Sequence, residues 1–338
     1  MNTLYLRHLD RWLWPLAVRL GGLGASLVQP RRRAATPPLI LRPGGMGDLI
    51  LLCVAIEELG RDVREFVWLI EARSAPWARH LRLDFVCYDE VPLRTLWRLA
   101  GRHLVVVNTE QRYGLSQAAS VLARSRGGRV FAFDTNVGAA WADQVVRYDP
   151  FEAHETVEFG RLVAAALGLE RDVTRPVRRR RMRATEGPVV GVGGLQRASR
   201  RLDEGRWLEI IHAWSSGREL NVSAAPADRE FARRLCARLD GRAKLFEGDF
   251  EAVCDLIRRS SEVLTIDGGF MHIASYYGVP VTSVFTSSRE KKWASLSPGS
   301  HIVRRNDLPC QPCALYAVVP PCPYGFACRE VEFARDLR

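Results

Sequence analysis

The chain has 338 residues, of which 47% are apolar and 26% charged, a balance typical of a globular protein with sizeable cores. This length suffices for two domains of ordinary size. No stretch reaches the roughly 20 uninterrupted apolar residues of a membrane span, and N-terminal charges break any secretory signal, so we expect a cytoplasmic protein. The net charge of +11 favours an anionic partner such as a phosphorylated small molecule, acidic phospholipid or nucleic acid, and a solvated basic surface explains it equally well.

Residues 1–38 are predicted to form an amphipathic segment followed by a linker. Leucines recur there at helical spacing beside Arg7, Arg11 and Arg19, and Pro15 would kink the helix. Basic, leucine-rich helices are typical of membrane interfaces. We therefore expect either peripheral contact with the inner face of the cytoplasmic membrane, or a helix packed on the protein or a poorly ordered tail.

Residues 39–170 alternate between apolar strands and helical patterns, which predicts a doubly wound N-terminal domain. A glycine turn joins its first strand to an apolar helix near Asp48, and such turns bind anions. The simpler interpretation of Asp48 is a helix N-cap. The predicted strands are Leu39–Arg42, Val67–Glu71, Phe85–Tyr88, Leu104–Asn108, Arg129–Phe133 and Val145–Tyr148. The predicted helices are 49–59, Leu93–Ala100, Leu115–Ser125 and Glu155–Gly168.

Residues 171–187 are predicted to be a basic interdomain linker. Six arginines lie between Arg175 and Arg183, and like charges at that density favour an exposed segment. Binding of an anionic acceptor is the alternative role.

A second alternation over residues 188–300 predicts another doubly wound domain. Its predicted strands are Val189–Val192, Leu220–Ala224, Lys244–Phe246, Leu264–Ile266 and Pro280–Phe285. Its predicted helices are Gly205–Trp214, Ala227–Leu239, Phe250–Arg259 and Phe270–Tyr277. The turn after the fourth strand, Asp267-Gly268-Gly269, lies where open α/β sheets bind ligands and where helix N–H groups attract phosphate. Asp267 and His272 are the side chains best placed to contact such a ligand.

The last segment, 301–338, is rich in proline and holds four cysteines within 19 residues. The set Cys310, Cys313, Cys322 and Cys328 opens with a CxxC pair and suits a tetrahedral Zn or Fe site of structural type. Free or redox-active thiols and two disulfides are the alternatives, the latter disfavoured in the cytosol.

Two motifs make the chain, from about Leu39 to Arg329, resemble glycosyltransferase family 9, the lipopolysaccharide heptosyltransferases. The segment LRPGGMGDLILL looks like the family's N-terminal Gly-Asp motif at Gly47-Asp48. The segment IDGGFMHIASYYGVPVTSVF is similar to its D-[TS]-G-x-x-H-x-A…G-x-P signature. The resemblance implies a GT-B fold, that is, two doubly wound Rossmann-like domains facing across a cleft.

The resemblance also implies inverting transfer of heptose from ADP-heptose to an acceptor hydroxyl, without a catalytic metal. Asp48 matches the general base, and Asp267 an acidic residue that contacts the sugar or ribose. The positions that match the phosphate contacts are Gly47, Gly268, Gly269 and His272. Some relatives carry a similar cysteine cluster, which binds iron in protein-modifying members.

Three features depart from the family pattern. Gly268 replaces a Thr or Ser, and Arg200-Arg201 stand where the family has Lys-x-Trp-Pro, which keeps the positive charge for the diphosphate. Asp228 or Glu230 is a loosely aligned candidate for the ribose.

The implied partners are the nucleotide sugar and an anionic glycolipid. A protein O-heptosyltransferase and a catalytically decayed GT-B binding protein are the alternatives, and no nucleic-acid motif supports the charge-based idea of a nucleic-acid binder.

Overall fold

The computed structural model describes residues 36–91, 99, 102–111, 120, 123–124, 127–136, 138–174, 184–315, 318–331 and 333. The predicted amphipathic segment, the helices predicted at 93–100 and 115–125, and the arginine run of the linker lie wholly or largely outside these residues. The described chain forms two compact units. The first extends to Asp149 and resumes with residues 155–174, and the second comprises Pro150–His154 and the described residues from 184 onwards.

The first unit is built on a six-stranded parallel sheet in the order β3-β2-β1-β4-β5-β6. Every residue of β1 is buried, as expected for a central parallel strand covered by helices on both faces. The strands are β1 (Leu39–Arg42), β2 (Val67–Ile70), β3 (Asp84–Cys87), β4 (Val105–Asn108), β5 (Arg129–Phe133) and β6 (Gln144–Val146). Its α-helices include α1 (Met46–Glu58), α2 (Ala75–His80) and α3 (Glu155–Leu167).

The second unit repeats this plan with a parallel sheet in the order β12-β11-β10-β7-β8-β9. Its core gathers large apolar side chains such as Trp207 and Ile211 against β7 and β10. The strands are β7 (Val189–Val192), β8 (Leu220–Ala224), β9 (Ala243–Leu245), β10 (Val263–Ile266), β11 (Val281–Val284) and β12 (His301–Val303). The helices are α4 (Glu204–Ser215), α5 (Arg229–Ala237), α6 (Phe250–Arg259), α7 (Gly269–Tyr276) and α8 (Glu290–Trp293).

Each sheet has the 3-2-1-4-5-6 strand order of dinucleotide-binding domains. The order reverses between β1 and β4 in the first unit and between β7 and β10 in the second. Open α/β sheets bind ligands beyond the carboxyl ends of the strands at such reversal points. The glycine turn after β1 and the Asp267 turn after β10 both occupy this position.

The predicted doubly wound domains are confirmed in both units. The bounds of Arg129–Phe133, Val189–Val192, Leu220–Ala224 and Phe250–Arg259 are those predicted. Residues His301–Val303, predicted to belong to the C-terminal tail, form a strand of the second sheet beside β11. No helix in the described part of the chain combines the length and apolar character needed to cross a membrane.

Candidate functional site

Asp48 lies in the first turn of α1, but it does not cap the helix. The N-cap is Gly45, and no side chain makes a capping hydrogen bond there. Asp48 Oδ2 instead pairs at 3.1 Å with Nη2 of Arg42, the last residue of β1. The Arg42 side chain is only 4% exposed and that of Asp48 is 28% exposed. The Asp48 carboxylate is therefore accessible to solvent, whereas the Arg42 guanidinium that binds it is not.

Main-chain and ring contacts fix the guanidinium of Arg42. Its Nη1 donates to the main-chain oxygen of Thr109 at 2.8 Å and to Oε1 of Gln111 at 3.4 Å. It also lies 5.5 Å from the ring centroid of Phe159. Gly44 makes room for it, because a β-carbon there would lie 2.7 Å from Nη2 of Arg42, and Gly44 has a φ of +152° that disfavours other residues.

A buried acidic network supports this arginine. Gln111 Nε2 donates to Glu155 Oε1, and the hydroxyl of Tyr148 donates to Glu155 Oε2 at 2.8 Å. Burial alone would lower the pKa of Arg42, but the charges of Asp48, Glu110 and Glu155 raise it above its ordinary value. Burial and Glu155 raise the pKa of Tyr148 far above its ordinary value, so the phenol stays a proton donor. The site thus keeps a fixed positive charge behind Asp48.

Asp267 follows β10 and is 4% exposed. Arg200 makes two contacts with Asp267. Its Nη2 lies 2.8 Å from Oδ2, and its Nη1 donates to the Asp267 main-chain oxygen at 3.0 Å. The hydroxyl of Ser288 also donates to Oδ2. Arg200, predicted to meet phosphate directly, is thus engaged with Asp267, while the neighbouring Arg201 is exposed and donates to the oxygen of Leu195 at 2.7 Å.

Gly268 and Gly269 form the entrance to α7. Gly268 is the N-cap, with an extended backbone (φ 170°, ψ −164°). A β-carbon on Gly268 would meet only the main-chain oxygen of Ile266, at the ordinary contact distance of 3.8 Å. The absence of the family's Thr or Ser is therefore not imposed by lack of space.

His272 lies on α7 within a buried basic cluster that the sequence did not reveal. His272 is 5% exposed and Lys292 is fully buried. His154 Nε2 is 3.0 Å from the oxygen of Ala294. Burial lowers the pKa of His154 to about 3, with contributions from the charges of His272 and Lys292. No motif marks Lys292 or His154 as neighbours of His272, because the three residues come from separate segments.

The two predicted ribose candidates differ in placement. Asp228 is 4% exposed, and its Oδ1 has no hydrogen-bond partner among the described residues. Burial raises its pKa, although a hydrogen bond from Gln196 opposes the shift. Glu230 is exposed and forms an ion pair with Arg233 at 3.2 Å. Of the two, only Asp228 offers a buried acceptor.

The four C-terminal cysteines all have free thiols, which disfavours the disulfide alternative. Burial raises the pKa of Cys328 to about 11, and the charges of Cys313, Cys322 and Cys310 add to the shift. No group of three or more His, Cys, Asp or Glu side chains in the described ranges is placed to hold a metal ion. The metal site therefore stays a prediction.

Comparison with known proteins shows a family match over part of the chain and a shared fold. The model of glycosyltransferase family 9 (heptosyltransferase) matches residues 188–318. No curated protein matches the chain in sequence. Among solved structures, E. coli ADP-heptose lps heptosyltransferase II has a TM-score of 0.62 at 12% identity, covering 81% of this chain and 92% of that one.

Two further structures extend the comparison. E. coli heptosyltransferase WaaC with ADP has a TM-score of 0.57 at 18% identity, covering 78% of this chain and 89% of that one. The iron-containing dodecameric glycosyltransferase TibC from enterotoxigenic E. coli has a TM-score of 0.50 at 14% identity, covering 88% of this chain and 76% of that one. At these identities the structures establish a shared fold, and the predicted GT-B class is confirmed. The match to the glycosyltransferase family 9 model over residues 188–318 includes the motif around Asp267 on which the resemblance was based.

Proposed function

We propose that the protein is an inverting glycosyltransferase that moves heptose from ADP-heptose onto a hydroxyl of a lipopolysaccharide-type acceptor. The observation that carries the proposal is the oriented, solvent-reached carboxylate of Asp48 at the reversal point of the first sheet. The family domain at 188–318 and the fold shared with structures of heptosyltransferases, among them WaaC with ADP-2-deoxy-2-fluoro heptose, support the donor class.

Asp48 is the general base in this proposal. Its carboxylate accepts the proton of the acceptor hydroxyl while the hydroxyl oxygen forms a bond to the anomeric carbon. The bond from that carbon to the diphosphate oxygen breaks at the same time, so the configuration at the anomeric carbon inverts and ADP leaves. Arg42 fixes the direction in which the carboxylate points, because its own position is set by Thr109 and Gln111.

The second unit holds the nucleotide in this proposal. Negative charge develops on the diphosphate as it leaves, and the amides at the start of α7 together with His272 are suited to stabilise it. The buried charge of Lys292 near this cluster adds to the positive potential. Arg200 acts indirectly by fixing Asp267, and Asp228 Oδ1 is an acceptor for a ribose hydroxyl. None of these roles requires a metal.

An assay of transfer tests the proposal. Purified protein is incubated with ADP-heptose and heptose-deficient lipopolysaccharide core, and the product mass and released ADP are measured. We expect one heptose added per acceptor and one ADP released. Thermal shifts with ADP-, GDP-, UDP- and CMP-linked sugars identify the donor, because a ligand at 100 times its dissociation constant adds about 2.7 kcal/mol of stability. Binding of no nucleotide sugar would favour a decayed binding protein.

A polypeptide hydroxyl is the second candidate acceptor. The observation that favours it is the C-terminal cysteine cluster, because the resemblance implies an iron-binding cluster in protein-modifying members, and TibC, whose fold the chain shares, is an iron-containing glycosyltransferase. Glycolipid and protein acceptors differ in one direct readout, namely whether the heptose appears on a lipid or on a serine or threonine. A glycolipid acceptor would also give the basic N-terminal segment a reason to contact the inner membrane face.

For the cysteine cluster we propose a structural Fe or Zn held by Cys310, Cys313, Cys322 and Cys328. Four thiols within 19 residues, opened by a CxxC pair, are the chemical basis for it. Such a metal would tie the tail to the second unit without entering the reaction. Elemental analysis should find close to one metal per chain, and less than one per two chains would count against the site.

A further inference from the structure

We propose that the C-terminal tail, residues 308–331, positions the donor-site turn, and that Arg329 is the residue through which it acts. Arg329 contacts the loop that carries Arg200, and Arg200 in turn fixes Asp267. The inference rests on the proposed function in one respect, namely that Asp267 belongs to the nucleotide site. Its structural part concerns this chain's own contacts and can be tested without any ligand.

The first contact of the tail is made by the guanidinium of Arg329. Its Nη1 lies 3.4 Å from the main-chain oxygen of Ala198 and 3.3 Å from that of Arg201. These two oxygens flank Arg200 in the sequence. The guanidinium is itself braced, because Nε donates to the oxygen of Phe326 at 3.3 Å and the ring of Phe326 lies 5.4 Å from it. One tail side chain thus holds the main chain on both sides of Arg200.

The second contact is made by the main chain after Cys313. The amides of Cys313 and Ala314 donate to the oxygen of Ser287 at 3.1 and 2.8 Å. The next residue, Ser288, donates its hydroxyl to Asp267. Both side chains that hold the Asp267 carboxylate, those of Arg200 and Ser288, therefore stand on segments fixed by the tail.

Among the described residues, the side chains bonded to the Asp267 carboxylate are those of Arg200 and Ser288, and the tail contacts the segments of both. Arg329 touches neither Asp267 nor the turn Gly268-Gly269, so it is a positioning residue rather than a ligand contact. Loss of Arg329 should let the loop and Arg200 move, which leaves the buried Asp267 carboxylate without its fixed partner. A nucleotide that binds against this turn should then bind more weakly.

A double-mutant cycle tests the proposal in the full-length protein. ADP affinity is measured by calorimetry for the wild type, Arg329→Gln, Arg200→Gln and the double variant. We expect Arg329→Gln to weaken ADP binding roughly tenfold, the scale of one lost hydrogen bond to a charged group. If Arg329 acts through Arg200, the double variant should bind no more weakly than Arg200→Gln alone. Fold losses that multiply would overturn the proposal.

Arg206→Gln is the matched control. Arg206 also binds the tail, at Glu330 (2.8 Å) and at the oxygen of Val331 (3.3 Å), but it has no bond to the oxygens flanking Arg200. We expect it to leave ADP affinity within twofold of the wild type. Arg329→Lys keeps the positive charge and a donor group but lacks the planar guanidinium, so it should recover part of the loss. An equal effect of Arg206→Gln and Arg329→Gln would mean that general tail docking, rather than Arg329, matters.

Hydrogen exchange separates this inference from the proposed function. The amides of Arg197, Arg200 and Leu202 are hydrogen-bonded within the loop, to Gly194, Arg197 and Arg200 respectively. Arg329→Gln should speed exchange of the peptide 195–202 in the absence of ligand, and Arg206→Gln should not. Unchanged exchange would overturn the inference even if ADP binds. Faster exchange in a protein whose wild type binds no ADP would instead sink the proposed function and retain the structural link.

Discussion

Arg42 and Asp48 form an ion pair at 3.1 Å across the glycine turn that joins β1 to α1. The arginine is buried and the aspartate is partly exposed, so the buried guanidinium fixes a carboxylate that is accessible to solvent. A general base needs such orientation, because proton transfer requires a heavy-atom distance of about 2.6–3.2 Å.

Arg42→Gln should lower kcat at least tenfold and destabilise the fold by about 3 kcal/mol. The substitution removes the partner of Asp48 and leaves the buried oxygens of Thr109 and Glu155 with less compensating charge. Transfer kinetics and urea unfolding measure the two effects. Arg61→Gln, a change at an exposed ion pair of the same unit, is the control and should alter neither quantity appreciably. Wild-type kcat in Arg42→Gln would remove the orienting role.

Gly44→Ala should weaken the same pair without altering either charged residue. The new methyl group would lie 2.7 Å from Arg42 Nη2, at a backbone φ of +152°. We expect a loss of about 1–3 kcal/mol in the free energy of unfolding and a lower kcat. Gly60→Ala, at a φ of +76° with no atom near the added methyl, separates backbone strain from displacement of Arg42. Equal kcat values in the two variants would contradict the steric explanation.

Gly268→Ser should be tolerated by the fold. A β-carbon there has only one neighbour, at 3.8 Å, and the position is the N-cap of α7 in an extended conformation. Serine is slightly favoured over glycine at N-caps, so stability should stay constant or rise by a few tenths of a kcal/mol. The restored hydroxyl should also strengthen nucleotide binding. Thermal unfolding and ADP calorimetry check both statements, and a drop in stability of more than about 1 kcal/mol would contradict the first.

His154 should make stability depend on pH. Burial lowers its folded-state pKa to about 3 from an ordinary value of 6.5. The unfolded chain therefore binds a proton below about pH 6.5 that the folded protein refuses, so this residue's contribution to stability is lost as pH falls from about 6.5 toward 3. The slope should reach at most about 1.4 kcal/mol per pH unit. His154→Gln should flatten the profile measured by urea unfolding between pH 4 and 7, and the exposed His212→Gln should not.

The sequence predicts the local parts of this structure well. Asp267-Gly268-Gly269 lies between an apolar strand and a helix, and periodicity alone identifies that arrangement. The short helices Ala75–His80 and Glu290–Trp293 are not predicted, because they hold too few residues to show a helical period. The sequence places Asp48 in the glycine turn ahead of a helix over 49–59, but the helix begins at Met46, so Asp48 lies in its first turn. Its partner Arg42 has, in the sequence, only the features of a strand end.

The contacts between distant segments could not be predicted from one sequence. Arg200 and Asp267 are separated by 67 positions, and only the parallel pairing of β7 with β10 brings their loops together. Lys292 is one of few lysines in the chain, yet its complete burial has no signal in composition. The sequence shows that each of these residues is charged, but the order of the strands in the sheet determines which residue it contacts.

The most direct test of the account is the transfer rate of Asp48→Asn, with the exposed Glu170→Gln of the same unit as control. Asparagine keeps the shape and can still accept a hydrogen bond from Arg42, but it cannot take up the acceptor proton. We predict that heptose transfer falls at least 100-fold, on the scale of a lost general base, while ADP affinity and the unfolding midpoint stay at wild-type values. Transfer at the wild-type rate in Asp48→Asn would contradict the assignment of Asp48 as the base.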